Sequence, residues 1–460
     1  MSLAAERLLP LRDAAATDNK SLAVHRWVPW IAGFSANFVE EMISVYLGKE
    51  RRERHWVLDP FAGVATTMVE ALKAGCNAIG CEINPFAALA ARAKVSCVDV
   101  SVDQFKDEVE HFRCCLTEFE AEIDRYWNSG DQQSLCGLME KLKSRKPPHF
   151  HSRIPFFSPP VEAKFLYSLQ RMQSLDEPAR TLFKTALGAT MVCFSNYTYE
   201  PSLSSRPGAG KPLIDNASVA DAVCAKLSEM LDDIRFVKGS YGSQWQPRKR
   251  TVYNASYFDC QLPYGSISLI VTSPPYMNNY HYIRNTRPQL YWLDLINDAK
   301  DLHAYEHQSF GKFWQTVRQS KPISLQFPLD ELSEKIESLR SLNAERGAYG
   351  GPGWANYVAT YFNDTKLFLE RVKLQLTKDA RAIIVVGNSI IQGIEFRVDE
   401  YFAMVAELVG LKTEGIEVVR TKRVGTSILD SSVRKGQRTN SNHGVRLYDA
   451  AVILKKNRNA

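Results

Sequence analysis

Apolar positions recur at helical spacing in "FSANFVEEMISVYLG" (Phe34–Gly48), and the closing glycine is a natural helix C-cap. A short apolar run in "HWVLDPFAG" follows and predicts a strand feeding a glycine turn. "TTMVEALKAG" (Thr66–Gly75) predicts a helix, "NAIGCEINP" (Asn77–Pro85) a second strand, and "FAALAARAKV" a second helix. Strand, turn, helix, strand, helix is a βαβα unit, which implies a parallel sheet. Residues 1–24 read as a loose lead-in. From about 101 to 250 the pattern changes to charged amphipathic helices, starting with "FKDEVEHFRCCLTEFEAEIDRYW". Sheet character returns in "RTVYNASYFD" and "SISLIVTSPPY", followed by a helical stretch over roughly 288–345. "GAYGGPGWANY" (Gly347–Tyr357) reads as a glycine-rich hinge or loop. After it come a helix "YFNDTKLFLERVKLQL", a strand "ARAIIVVGNS" and a helix "VDEYFAMVAELVGL". "TEGIEVVRTKR" and "RLYDAAVILKK" predict an antiparallel pair that closes a mixed sheet.

The expected architecture is therefore α/β, a Rossmann-like mixed sheet with helices on both faces and a mostly helical insertion. Residues 1–100 form the first part of the main domain, 101–250 the insertion, and 251–460 the second part. A chain of 460 residues with 45% hydrophobic and 23% charged residues is ordinary for a globular protein of this size. A formal charge of +6 fits a nucleic-acid partner without requiring one. Nine cysteines without a CxxC pair favour a reduced cytoplasm and argue against a zinc site. The start has acids and no long apolar run, so no signal peptide is expected, and no segment reaches transmembrane length.

Two strand ends carry candidate chemistry. In "VLDPFAGVATT" (Val57–Thr67) Gly63 permits close backbone approach to a ligand, and Glu82 ends the next strand 19 residues later. An acid about 20 residues beyond such a turn commonly holds ribose hydroxyls. The turn is not GxGxxG, and "SRPGAGKP" fails as a P-loop because Ser205 and Pro212 stand where a glycine and a hydroxyl belong. The second strand end is "LIVTSPPYMNNYHYIRN" (Leu269–Asn285). Two prolines remove two donors and stiffen an extended tip that carries Ser273 and Tyr276. Open α/β sheets bind their ligands at such strand ends.

Together "DPFAGVATT", "CEINP" and "TSPPY" resemble the S-adenosylmethionine-dependent amino methyltransferases of DNA, and TSPPY is similar to the cytosine-N4 branch. The resemblance covers about 25–95 and 250–455 but not the insertion. It implies that Asp59, Pro60, Phe61, Ala62 and Gly63 cradle the methionine side of S-adenosyl-L-methionine, with Thr66 and Thr67 opening the next helix. Glu82 would take the ribose hydroxyls, with Ile83 and Asn84 beside the adenine. "YNAS" (Tyr253–Ser256) matches a short adenine-contact motif but lacks its acid, which leaves Ser256 as the candidate there. Ala65 replaces a commoner glycine, and "HRWVPWIAGFSANF" (His25–Phe38) loosely resembles the segment that helps hold the cofactor carboxylate.

The resemblance also implies a role for the tip. Ser273 Oγ and the Pro274 carbonyl accept from the exocyclic amine, Pro275 keeps the tip rigid, and Tyr276 stacks on a base that has left the helix. No Pro-Cys dipeptide occurs, so the ring-carbon route with a cysteine nucleophile is not expected. Asn278, Tyr280 and Arg284 follow in a stretch similar to N-N-x-D-Y-x-R, with His281 where an acid is common. Further DNA contacts are expected from Lys422, Arg423, Arg434, Lys435 and Arg438, in a loop with seven basic residues and one acid between 420 and 446. His149 and His151 read as non-metal, and no metal is expected. The expected partner is double-stranded DNA, with a cognate restriction endonuclease as a second candidate. Cofactor motif before TSPPY departs from the order common in the cytosine-N4 branch. Adenine-N6 methylation, RNA methylation and an inactive DNA-binding subunit are the rival readings.

Overall fold

The computed structural model describes residues 13, 17–30, 33–142, 154–199, 203–278, 280–422, 428–429 and 447–457. In chain order the first half contains α1 (Ala36–Tyr46), β1 (Trp56–Asp59), α2 (Thr66–Lys73), β2 (Asn77–Cys81) and α3 (Pro85–Val95). Then come α4 (Val102–Ser129), α5 (Gln132–Leu142), α6 (Pro159–Met172), α7 (Ala179–Thr190), the hairpin β3 (Tyr197–Tyr199) and β4 (Leu203–Ser205), and α8 (Val219–Trp245). The second half has β5 (Arg250–Tyr253), β6 (Ile267–Thr272), α9 (Tyr282–Asn285), α10 (Arg287–Trp292), α11 (Ala299–Gln308), α12 (Trp314–Val317) and α13 (Asp330–Ser341). It closes with α14 (Gly351–Gln375), β7 (Leu376–Gly387), β8 (Ser389–Ile391), β9 (Ile394–Phe396), α15 (Val398–Leu408), β10 (Leu411–Lys422), β11 (Ile428–Leu429) and β12 (Leu447–Lys456).

Among the described residues the main sheet has seven strands in the order β10-β12-β7-β6-β1-β2-β5. The run from β7 to β5 is parallel, and β12 is antiparallel to both β7 and β10. The central strands are apolar without a break because both faces are covered. Val57, Leu269, Val271, Ile383 and Val385 face a core built with α1 to α4 and α6 to α8. Their neighbours Leu58, Ile270, Ala382, Ile384 and Val386 face a second core built with α13, α14 and α15. The alternation is the period of two that a strand imposes.

β1 lies between β2 and β6, so the chain leaves the sheet centre in both directions and β1 and β6 end side by side. This switch point is where a doubly wound sheet opens a crevice. The predicted antiparallel pair is β10 and β12.

Four expectations are corrected. The glycine-rich stretch Gly347–Tyr357 is no hinge, because α14 begins at Gly351 with Pro352 in its first turn. A Cβ on Gly351 would sit 2.0 Å from the Leu339 carbonyl oxygen, and one on Gly353 2.1 Å from that of Ala348. Gly351 thus serves close packing against the end of α13, and Gly353 against the turn at Ala348 and the Arg318 side chain. The lead-in is not loose over 17–24, since Asp233 on α8 accepts from the Val24 N–H at 2.8 Å and the Trp27 indole at 2.9 Å. The helical stretch over 288–345 is a set of short helices broken by loops, and the strand opening at Arg250 stops at Tyr253. No helix among the described residues is long and apolar enough to cross a membrane.

Candidate active site

The turn after β1 is held from both neighbouring strands. Asp59 Oδ1 accepts from the Thr272 hydroxyl at 2.6 Å and from the Phe61 N–H at 3.1 Å. Burial pushes the Asp59 carboxyl up to about 6, and those hydrogen bonds limit the rise. Thr67 donates to the Val271 carbonyl at 3.1 Å, so a second bond ties α2 to β6. Gly63 has φ +50, and a Cβ there would lie 3.3 Å from the Trp30 indole nitrogen. Ala65 also takes a left-handed conformation, φ +67, at the N-terminus of α2, which costs on the order of 1 kcal/mol against a glycine.

Glu82 joins the two turns of the cradle. Its carboxylate accepts from the Gly63 N–H at 2.7 Å and from the Asn84 N–H at 2.7 Å. Burial pushes its carboxyl up to about 7. Asn84 caps α3 by accepting from the Phe86 N–H at 3.0 Å, and its amide donates to the Thr286 hydroxyl at 2.8 Å. Ser256 donates to the Gln308 carbonyl at 3.1 Å. Phe61 packs in a ring cluster with Phe310, Phe368 and Tyr257 at 5.2 to 6.2 Å.

The Ser-Pro-Pro-Tyr tip leaves β6 beside this cradle. The Ser273 hydroxyl donates to the Val385 carbonyl at 3.1 Å, so its proton is committed and its oxygen remains an acceptor. The Tyr361 hydroxyl donates to the Pro275 carbonyl at 3.1 Å and braces the tip from α14. Tyr276 lies against Gly387, where a Cβ would come within 3.2 Å of its ring and 2.8 Å of Asp449 Oδ1. Its phenol is held well above the ordinary tyrosine value, first by burial and then by the Asp449 carboxylate.

One cavity is lined by Asp59, Pro60, Phe61, Ala62, Gly63, Thr66, Glu82, Ile83, Asn84 and Ser256 together with Ser273, Pro274, Pro275, Tyr276, Asn278 and Tyr280. Residues some two hundred positions apart thus share a wall. Thr67 is fully buried beneath it. Arg284 is exposed on α9 and lies outside the cavity wall. Arg423, Arg434, Lys435, Arg438 and Arg446 lie outside the described residues, as do the Lys422 side chain, His149 and His151. Among the described residues no cluster of three His, Cys, Asp or Glu could hold a metal. All nine cysteines are free.

Several wall residues escaped the sequence reading. Phe310, Gly311 and Lys312 come from the loop after α11, and Arg420 and Asp449 face each other across β10 and β12, while Trp30, from the quoted segment His25–Phe38, covers the Gly63 turn. A buried acid inside "RLYDAAVILKK" was the one available signal, since Asp449 is 4% exposed in an otherwise apolar strand. His281 does not replace an acid with a cation. It stacks on Phe313 at 4.1 Å, and burial with Arg284 nearby lowers its imidazole to about 4.

A family model described as DNA methylase matches residues 15–92, the segment that carries the cradle. The chain is 22% identical over 449 residues to the type II methyltransferase M.AvaI of Nostoc sp., covering 89% of this chain and 83% of that protein. The chain is thus similar to the DNA amino methyltransferases, most directly over the segment that carries the cradle. The type II methyltransferase M.BsoBI of Geobacillus stearothermophilus is 20% identical over 462 residues, covering 89% of this chain and 82% of its own. M.MjaII of Methanocaldococcus jannaschii is 30% identical over 67 residues, 15% of this chain and 13% of that one. No solved structure matches the chain. DNA methyltransferases of the kind it resembles use S-adenosylmethionine, and the features of this cavity fit that cofactor: a turn that a Cβ would fill against Trp30, and a buried carboxylate at the next strand end.

Proposed function

We propose that this methyltransferase modifies the exocyclic N4 of cytosine in double-stranded DNA, as the modifying partner of a type II restriction endonuclease in a bacterial or archaeal cytoplasm. The observation that carries the reading is the Ser273 hydroxyl, whose proton is given to the Val385 carbonyl. An exocyclic amine is a poor nucleophile because its lone pair is delocalised into the ring. Ser273 Oγ and the Pro274 carbonyl accept its two hydrogens and localise that lone pair toward the cofactor side. A rigid tip suits this work, because orientation supplies much of the rate in a direct displacement. Tyr361 and the two prolines supply that rigidity.

S-adenosylmethionine, when bound, supplies a methyl group on a sulfonium. Asp59 to Gly63 and Glu82 would hold it, with Ile83 and Ser256 beside its base. The amine becomes cationic as it gains the methyl, and one of its protons must leave. The Asp449 carboxylate, buried beside Tyr276 in the same cavity wall, is the base assigned to that step. Tyr276 offers the stacking face for the extruded base, and the basic residues from Lys422 to Arg438 offer phosphate contacts.

The type II assignment draws on the relatives' names, and the choice of cytosine draws on Ser-Pro-Pro-Tyr. The test is mass spectrometry of nucleosides from DNA of cells that express the protein. N4-methyldeoxycytidine is expected. N6-methyldeoxyadenosine would transfer the reading to the adenine branch, and methyl label entering RNA rather than DNA would end it.

A further inference from the structure

A second cavity of about 370 Å³ adjoins the first. Its volume is ordinary for a small-ligand pocket (roughly 300–1,000 Å³). Trp30, Tyr280 and Tyr282 line both cavities, so a single aromatic layer separates them. The far wall comes from the 101–250 segment, with Tyr197 and Tyr199 on β3 and Gly188 on α7. Arg206 stands in the lining and brings a positive charge.

The polar groups of this cavity are ordered in one direction. Gln289 Nε2 donates to the Gly188 carbonyl at 3.3 Å and to the Tyr199 hydroxyl at 3.3 Å. The Tyr199 hydroxyl in turn donates to the Asn285 carbonyl at 3.0 Å. The donors are thus committed, and the Gly188 carbonyl fixes which way the amide points. Gln289 Oε1 is left buried without a hydrogen-bond partner, in a residue 4% exposed. A buried acceptor left unmade is costly, and a ligand with an N–H donor would offset that cost.

A flat unsaturated ring with an N–H edge fits aromatic walls around a single acceptor, and every nucleobase has that form. We propose that this cavity receives a second DNA base, that of a nucleotide next to the target on the same strand. The proposal deepens the reading of the chain as an enzyme that acts on an extruded base. The shared wall of Tyr280 and Tyr282 sets the two bases in adjoining chambers, as successive nucleotides require. Arg206 is suited to the phosphate that accompanies the second base. The 101–250 segment thereby takes part in the choice of sequence through Tyr199, which sets one wall and orients Gln289.

The probes are the four deoxynucleoside 5′-monophosphates, titrated into protein saturated with S-adenosylhomocysteine and followed by ligand-observed NMR. Wild-type protein and Ser273→Ala should bind at least one of them with similar affinity. Tyr199→Ala and Gln289→Leu should each bind about tenfold more weakly, as expected for a lost stacking face or a lost acceptor. Their affinity for S-adenosylhomocysteine should stay unchanged. Tyr199 is 37% exposed, so its truncation spares the core if the Gln289 variant does not fold. The proposal is overturned by nucleotide binding that is absent in the wild type, unchanged in Tyr199→Ala, or displaced by further S-adenosylhomocysteine. A wrong reading of the enzyme itself would look different: nucleotide binding would persist while DNA from expressing cells carried no methylated base.

Discussion

Glu82→Gln is the substitution whose consequence the geometry specifies most closely. The two carboxylate oxygens accept one backbone N–H each, from Gly63 and from Asn84, both at 2.7 Å. An amide keeps one acceptor and turns an NH2 group toward the other N–H. A hydrogen bond to a charged group is worth about 1.5–3 kcal/mol, and Gln loses one to the backbone and the charge assistance toward the ribose hydroxyls. The affinity for S-adenosylhomocysteine should fall by roughly 10- to 150-fold at pH 8. The pH dependence supplies a second signature. Burial raises the Glu82 carboxyl from the ordinary 4.5 to about 7 in the ligand-free protein. The folded state therefore holds a proton that the unfolded state has lost between these values. Stability contributed by this group is full below 4.5, declines as pH rises toward 7, and is constant above, a change of about 3 kcal/mol. In the role proposed for Glu82, ribose hydroxyls would donate to the ionised carboxylate, so cofactor affinity should run the other way. It should rise with pH up to about 7 and then level off, with proton release on binding below that point. Calorimetry at pH 6 to 8.5 in two buffers of different ionisation enthalpy measures both quantities. Asp59 also titrates near 6, so the difference between wild type and Glu82→Gln isolates the Glu82 contribution. A Glu82→Gln protein with wild-type affinity, or with an unaltered proton release, would refute the ribose role.

Three further outcomes are expected. Ser273→Ala removes an acceptor without removing bulk, and single-turnover methylation should slow by roughly a hundredfold, about 3 kcal/mol, at unchanged cofactor affinity in calorimetry. Gly387→Ala puts a methyl group 2.8 Å from Asp449 Oδ1 and 3.2 Å from the Tyr276 ring, so it should slow methylation at least tenfold, by order of magnitude, while S-adenosylhomocysteine binds as before. Asp233→Ala frees the Val24 N–H, the Trp27 indole and Arg26 at once, and should lower stability by about 3 kcal/mol in urea denaturation and weaken cofactor binding through Trp30.

What the sequence disclosed follows from local physics. The apolar runs of β1, β6 and β7 are readable because both faces of those strands are buried, and their ends are readable because Asp-Pro, Ser-Pro-Pro and glycine have strong backbone preferences. Gly347–Tyr357 misled for the same reason turned round. Glycine signals either freedom or lack of space, and only the tertiary neighbours Leu339 and Ala348 decide between them. Lys312 and Asp449 enter the cavity from segments with no local motif, because what brings them there is packing. Glu82 was found by its distance from Gly63, but its bridging of the two turns was not visible, since it depends on how β1 and β2 are registered.

That bridging bears on how the 101–250 segment and the chemistry coexist. The cradle and the tip are joined by Thr272 to Asp59, Thr67 to Val271, and Asn84 to Thr286, across separations of 213, 204 and 202 residues. Each bond is buried, so each is costly to leave unmade and resists strain from outside. Helices α4 and α6 to α8 pack on one face of the sheet, and the 101–250 segment meets the second cavity, not the first, through α7 and the β3–β4 hairpin. The hairpin offers Tyr197 and Tyr199 but none of the three joining bonds. A change there alters what lies beside the tip without moving Ser273 relative to Gly63. An exchange of residues 197–205 should therefore change which DNA is methylated before it changes how fast a bound target base reacts. Steady-state kinetics on a panel of duplexes separates the two, and a loss of rate shared equally by all duplexes at unchanged preference would contradict the separation.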